Sequence, residues 1–142
     1  VRNVLELFDG EADTRAAIAE ALVDEARRAL EAAGYKLASP SERKEDISNW
    51  RVAPNSGIEP GQQSTWQSFK RGASSEVDYL NGEIVLLGRL HGVRTPYNEA
   101  VQKLAGQLAH RGSFSSALPL DDILSQVDKP HTARQTGLAL AQ

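Results

Sequence analysis

Residues 64–98, STWQSFKRGASSEVDYLNGEIVLLGRLHGVRTPYN, decide the fold. Val77, Leu80, Ile84 and Leu87 recur at spacings of 3, 4 and 3, which puts them on one stripe of a helix with 3.6 residues per turn. Ser74 or Ser75 is placed to cap its start, and Glu76 and Asp78 put negative charge in the first turn, where the helix dipole favours it. Gly92 stands where a left-handed residue is wanted after the last turn, with His91 just before it. Thr95 and Pro96 then open a second helix as N-cap and N1.

The same grammar extends outward from this pair. Downstream, residues 98–111 continue the second helix with Val101, Leu104, Ala105 and Leu108 on one face, until Gly112 stops it. Upstream, residues 62–70 read as a short helix with Trp66 and Phe69 one turn apart, broken by Gly72, and residues 53–61 (APNSGIEPG) read as a loop. Ser39-Pro40-Ser41-Glu42 supplies an N-cap, a proline at N1 and an acid at N3, so a short helix carrying Ile47 and Trp50 is expected there. From Asp13 or Thr14 to Ala33 a long helix carries Ile18, Leu22, Ala26, Ala29 and Ala33 as its apolar stripe and ends at Gly34.

Residues 1–8 (VRNVLELF) read as the tail of a helix begun upstream and stopped by Asp9-Gly10. Beyond Gly112 the character changes to Ser113-Phe114-Ser115-Ser116, Pro119, a possible helical turn over 121–127, and Pro130. Nothing alternates as a strand should, and no repeat occurs. The expected architecture is an all-α helical bundle over residues 1–112, with 113–142 as a partly ordered extension.

Composition narrows the class. At 142 residues the chain can bury one real core. A net charge of −3 offers no basic footprint for nucleic acid, and no apolar run approaches the roughly 20 residues of a membrane span. A cytoplasmic protein is expected. The absence of cysteine excludes disulfides, thiolate metal ligands and a cysteine nucleophile. His91, His110 and His131 lie far apart and lack ligand spacing, so no metal site is expected. Trp50, Trp66 and Phe69 read as core rather than as a stacking platform, since no arginine or lysine stripe interleaves them. With no methionine at position 1 and no signal-peptide pattern, Val1 is expected to be an internal residue of a longer protein.

Several pieces in this order carry a resemblance. Ser64, Gln67 and Gly72 are followed by Ser75-Glu76-Val77-Asp78-Tyr79-Leu80-Asn81-Gly82 and then by His91-Gly92-Val93-Arg94-Thr95-Pro96-Tyr97-Asn98. This succession resembles the C-terminal domain of the ketopantoate reductase (2-dehydropantoate 2-reductase) family, and the long helix ending at Gly34 extends the likeness over residues 1–111. The resemblance implies an NADP-dependent oxidoreductase acting on a small 2-keto acid in pantothenate biosynthesis. Its N-terminal Rossmann domain would bind NADPH, and its helical C-terminal domain would close the cleft and hold the substrate.

By itself Glu76 is an acid suited to a helix N-terminus, and Ser64 is a cap or an exposed hydroxyl. The resemblance implies more for both. Glu76 would face the hydroxyl or keto end of the substrate and orient a catalytic lysine, while Ser64 would hydrogen-bond the substrate carboxylate. Asn98, at N3 of its helix, is expected to close the cap with Thr95, a purely structural task. Asn81-Gly82 would ordinarily mark a turn, but the stripe runs through it, so Gly82 reads as a close-packing point between helices. The chain departs from the family pattern at Ser68, where aspartate is usual, and at Ala73, where arginine is usual. Loss of both members of an acid and base pair points to altered substrate choice more than to an altered fold.

The family's general acid is a lysine followed by asparagines at i+4 and i+8, and its cofactor loop is G-x-G-x-x-G. Neither pattern occurs in these residues, so the chain alone is expected neither to bind NADP nor to reduce a ketone. Two alternatives stay open. One is a non-catalytic helical module that builds a homo-oligomer through its apolar faces. The other is a related oxidoreductase acting on a different 2-keto acid.

Overall fold

Residues 12–32 hold neither glycine nor proline, so nothing in them breaks a helix. In the computed structural model, which describes residues 1–39, 42, 77–111 and 116–128, they form α1 (Ala12–Ala32). It ends in a Schellman turn. Gly34 takes φ +86°, its N–H donates to Glu31 O at 3.0 Å, and the Tyr35 N–H donates to Leu30 O at 3.0 Å. The Ser39-x-x-Glu42 start also forms as expected: the Ser39 N–H donates to Glu42 Oε2 at 2.7 Å, and the Glu42 N–H donates to Ser39 O at 3.0 Å. The Ser39 N–H and hydroxyl, bonded to the Glu42 carboxyl, hold it below its ordinary value. The remaining expectations between Pro40 and Glu76, including the two short helices and the loop, lie outside the described residues.

α2 (Val77–His91) and α3 (Pro96–His110) follow the punctuation read from sequence. Gly92 takes φ +70° and the Val93 N–H reaches back to Gly88 O at 2.8 Å, the same terminal turn as in α1. The four residues of the linker allow α2 and α3 to pack side by side, and α1 lies across both. The core is built from Ile18 and Leu22 of α1, Val77 of α2, and Val101, Leu104, Ala105 and Leu108 of α3. Ala26 and Ala29 of α1 meet Ile84 of α2 in a smaller cluster beside it.

The buried stripe of α2 differs from the expected one. Val77, Asn81, Ile84 and Gly88 face inward, together with Val85, while Leu80 is 42% exposed and Leu87 only half-buried. The helix is turned so that a polar residue occupies the position that hydrophobicity alone assigns to Leu80. Asn81 can be there because partners satisfy its amide, as described below. Tyr79, Leu86 and Leu90 are left on the outer side.

Two further segments depart from expectation. Residues Arg2–Leu7 form a 3₁₀ helix rather than the tail of an α-helix. Its period of three stacks Val4 over Leu7 and Leu5 over Phe8, and all four are buried. The Arg15 guanidinium of α1 caps its end by donating to the carbonyls of Leu5 and Phe8. Phe8–Asp9 (β1) then pairs in parallel with Leu118–Pro119 (β2), in the register Phe8 with Leu118 and Asp9 with Pro119. Two-residue strands are too short to show alternation, which is why none could be read.

The core does not stop at residue 112. β2 leads into α4 (Leu120–Val127), whose Leu120 and Ile123 are fully buried against the 3₁₀ helix and α3. Full burial of such a side chain is worth about 1.5–3 kcal/mol. The described part of the region read as an extension is therefore part of the same core.

Candidate functional site

The buried polar residues of the described chain gather at the N-terminus of α3. Thr95 is the N-cap and Pro96 is N1, as expected, so the N–H groups of Tyr97 and Asn98 have no partner within the helix. Thr95 does not cap them with its side chain. Glu25 of α1 does so instead, correcting the expected pairing of Asn98 with Thr95. Its Oε1 accepts the Tyr97 N–H at 2.9 Å, and its Oε2 accepts the Asn98 N–H at 2.9 Å and Asn98 Nδ2 at 2.8 Å. A carboxylate delivered from a neighbouring helix thus takes over the role of the local cap and complements the dipole.

Asn98 extends the network in two directions. Its Nδ2 also donates to Leu22 O at 3.2 Å, and its Oδ1 accepts from Asn81 Nδ2 at 2.9 Å. Asn81 Nδ2 donates in addition to Val1 O at 3.2 Å. The path from Glu25 through Asn98 and Asn81 to Val1 joins α1, α3, α2 and the backbone at Val1. Glu25 is 2% exposed and Asn81 1%, and among the described residues no buried side-chain polar atom lacks a partner. Burial pushes the Glu25 carboxyl above its ordinary value, opposed by the Asn98 and Tyr97 donors and by the charge of Arg28.

Among the described glycines the one that packs most tightly is Gly88, not Gly82. A Cβ at Gly82 would meet only the end of the Gln102 side chain, at 2.8 Å, which can move aside. A Cβ at Gly88 would lie 2.6 Å from the backbone oxygen of Val93 and 2.9 Å from Thr95 Cγ2. The last turn of α2 therefore presses on the linker that delivers α3 to Glu25.

Of the residues singled out for chemistry, Glu76 and Ser64 lie outside the described residues, as do Gln67, Ser68 and Ala73. Val77, directly after Glu76, is buried in the core, so the start of α2 is anchored. Asn98 is described and has the structural task expected of it, with a different partner. Glu25 and Asn81 were missed. Their signal was a polar side chain on an apolar stripe: Glu25 falls between Leu22 and Ala29, and Asn81 between Val77 and Ile84.

Elsewhere the described surface offers an open groove of about 450 Å³ between α2 and α3. Several of its polar groups are partnered within the chain, with Gln102 donating to Asp78 at 3.1 Å and Arg89 to Glu99 at 3.4 Å. Among the described residues no three histidine or carboxylate groups are placed to hold a metal ion, and no helix is long and apolar enough to cross a membrane. The described strands, two residues each, do not form the strand, glycine turn and helix unit that cradles a dinucleotide pyrophosphate.

The class is that of an all-α domain whose helix starts and stops are set by local capping chemistry and whose helices are locked by a buried polar network. The family model described as ketopantoate reductase PanE/ApbA, C terminal, matches residues 3–109, and the chain belongs to that family. No curated protein and no solved structure matches it significantly.

Proposed function

We propose that the chain is the substrate-holding domain of an NADPH-dependent reductase that converts a small 2-keto acid to its 2-hydroxy acid, as 2-dehydropantoate 2-reductases do. The observation that carries this reading is the family match over residues 3–109. NADP would be held by an N-terminal Rossmann domain outside these residues, where it would supply the hydride. A lysine outside these residues would polarise the carbonyl oxygen and donate the proton that completes the hydroxyl. Glu76, at the entrance to α2, orients that lysine and accepts a hydrogen bond from the nascent hydroxyl. Ser64 donates to the substrate carboxylate, a task suited to a short neutral donor. The replacements at Ser68 and Ala73 favour a 2-keto acid other than ketopantoate. The protein is placed in the cytosol, as a homo-oligomer.

The test is NADPH oxidation by the full-length protein against ketopantoate and a series of 2-keto acids differing in side-chain size and charge. Saturable turnover of at least one of them is expected. A protein that neither binds NADPH nor reduces any of the series would leave the non-catalytic module as the better reading.

A further inference from the structure

α2 is apolar on two sides. Its inner stripe enters the core, while Tyr79, Leu80, Leu86, Leu87 and Leu90 form a second strip on the outside, interrupted only by Glu83. A helix at a protein surface turns its second face polar, and one that is apolar all round is covered by something. Among the described elements, α1 and α3 pack on the inner side of α2 and none covers the outer one, where Tyr79 is 75% exposed and Leu90 68%.

We infer that the outer face of α2 is a two-fold interface through which two copies of the protein pair antiparallel. The inference rests on the homo-oligomer reading and names the face behind it. Size is the first argument. The exposed parts of Tyr79, Leu80, Leu86 and Leu90 amount to on the order of 450 Å² on each copy, a patch large enough to mark a contact site. Two copies supply about 900 Å², which is the apolar share of a standard interface of about 1,600 Å². Charge sets the direction. Asp78 stands in the first turn of α2, with Arg89 and His91 in the last. Antiparallel pairing brings each acidic start to the partner's basic end and opposes the two dipoles, whereas parallel pairing sets like charge beside like. Arg89 is open to such a contact, since its side chain is 69% exposed and its bond to Glu99 is long at 3.4 Å. The strip also matches its own image. Leu80 and Leu90 lie five residues to either side of Val85, so an axis there sets each against the other's copy in the partner. The same axis turns Glu83 toward the partner's Leu87, where pairing strips water from its carboxylate.

The experiment is sedimentation equilibrium of the full-length protein and four variants, with circular dichroism to check the fold. Wild type is expected as a dimer at about 100 µM, where an interface of this size is saturated even at micromolar affinity. Leu86→Lys and Leu90→Lys each bring two ammonium groups into the contact, one per copy, and should raise the dimer Kd at least about 100-fold with the helical spectrum kept. Glu83→Gln removes a charge that pairing desolvates and should lower Kd about 10-fold. Val23→Lys, on the exposed side of α1, should leave Kd unchanged. Wild-type affinity in both leucine variants overturns the inference and spares the homo-oligomer reading, with the contact elsewhere; a monomer from Val23→Lys does the same. A wild type that stays monomeric at that concentration overturns both. Loss of the helical spectrum in both leucine variants shows the face covered within one copy and overturns the inference, as does a rise in Kd for Glu83→Gln.

Discussion

Replacing Glu25 tests whether a carboxylate from α1 really caps α3. Glu25→Ala leaves the N–H groups of Tyr97 and Asn98 without acceptors in a site where Asn98 is fully buried. Each unsatisfied buried donor costs about 1–3 kcal/mol, while removal of a carboxyl whose burial is unfavourable returns part of that. A net loss of roughly 3 kcal/mol follows, a melting-temperature drop of about 10 °C for a chain of this size. Glu25→Gln keeps the shape but turns an N–H donor toward a backbone N–H, so a loss of about 1–3 kcal/mol is expected. Because burial raises the folded-state pKa of Glu25 above its ordinary 4.5, the native protein binds this proton more tightly than the unfolded chain does. The stability linked to it is fully present below pH 4.5 and is lost as pH rises through the folded-state value. Urea unfolding followed by circular dichroism at several pH values measures both effects, and the gap between wild type and Glu25→Gln should narrow as pH rises. A change under about 0.5 kcal/mol in Glu25→Ala, within the range of an unremarkable surface substitution, would refute the cap. A gap that widens with pH would refute the claim that burial dominates the carboxyl.

Other perturbations test the packing. Ile123→Ala should cost about 2–5 kcal/mol in chemical denaturation, because Ile123 is fully buried; a loss below about 0.5 kcal/mol would return residues 118–127 to the status of an extension. Gly88→Ala should destabilise by about 1–3 kcal/mol despite alanine's better helix propensity, since the new methyl group meets the Val93 carbonyl; a gain in stability would contradict that contact. Tyr79, Leu86 and Leu90 leave an apolar strip along α2, so the isolated chain should sediment above 15.4 kDa at high concentration, and a monomer mass throughout would contradict self-association.

The parts of the fold that could be read in the sequence are those set by local chemistry. Gly34 and Gly92 end helices because the left-handed residue of a Schellman turn costs glycine little, and Pro96 begins one because N1 needs no N–H. Pairing between Phe8 and Leu118 spans more than a hundred residues and rests on two-residue strands, so no local pattern announces it. Glu25 and Asn81 escaped notice for a related reason. Each looks like a flaw in an apolar stripe until its partner, 73 or 17 residues away, is beside it. Reading such interruptions as paired would have found the network. Glu76 and Ser64 came from the succession of motifs in residues 64–98, and their roles rest on that resemblance.

The most direct test of the central reading is Glu76→Gln in the full-length protein. A residue serving only the helix dipole would cost no more than about 1 kcal/mol of stability and leave turnover intact. A residue that orients the lysine and meets the substrate hydroxyl should, on replacement, lower kcat/KM by at least about 100-fold, roughly 2.7 kcal/mol of transition-state stabilisation, with the fold retained. That loss is the predicted result; wild-type turnover accompanied only by a lower melting temperature would contradict it.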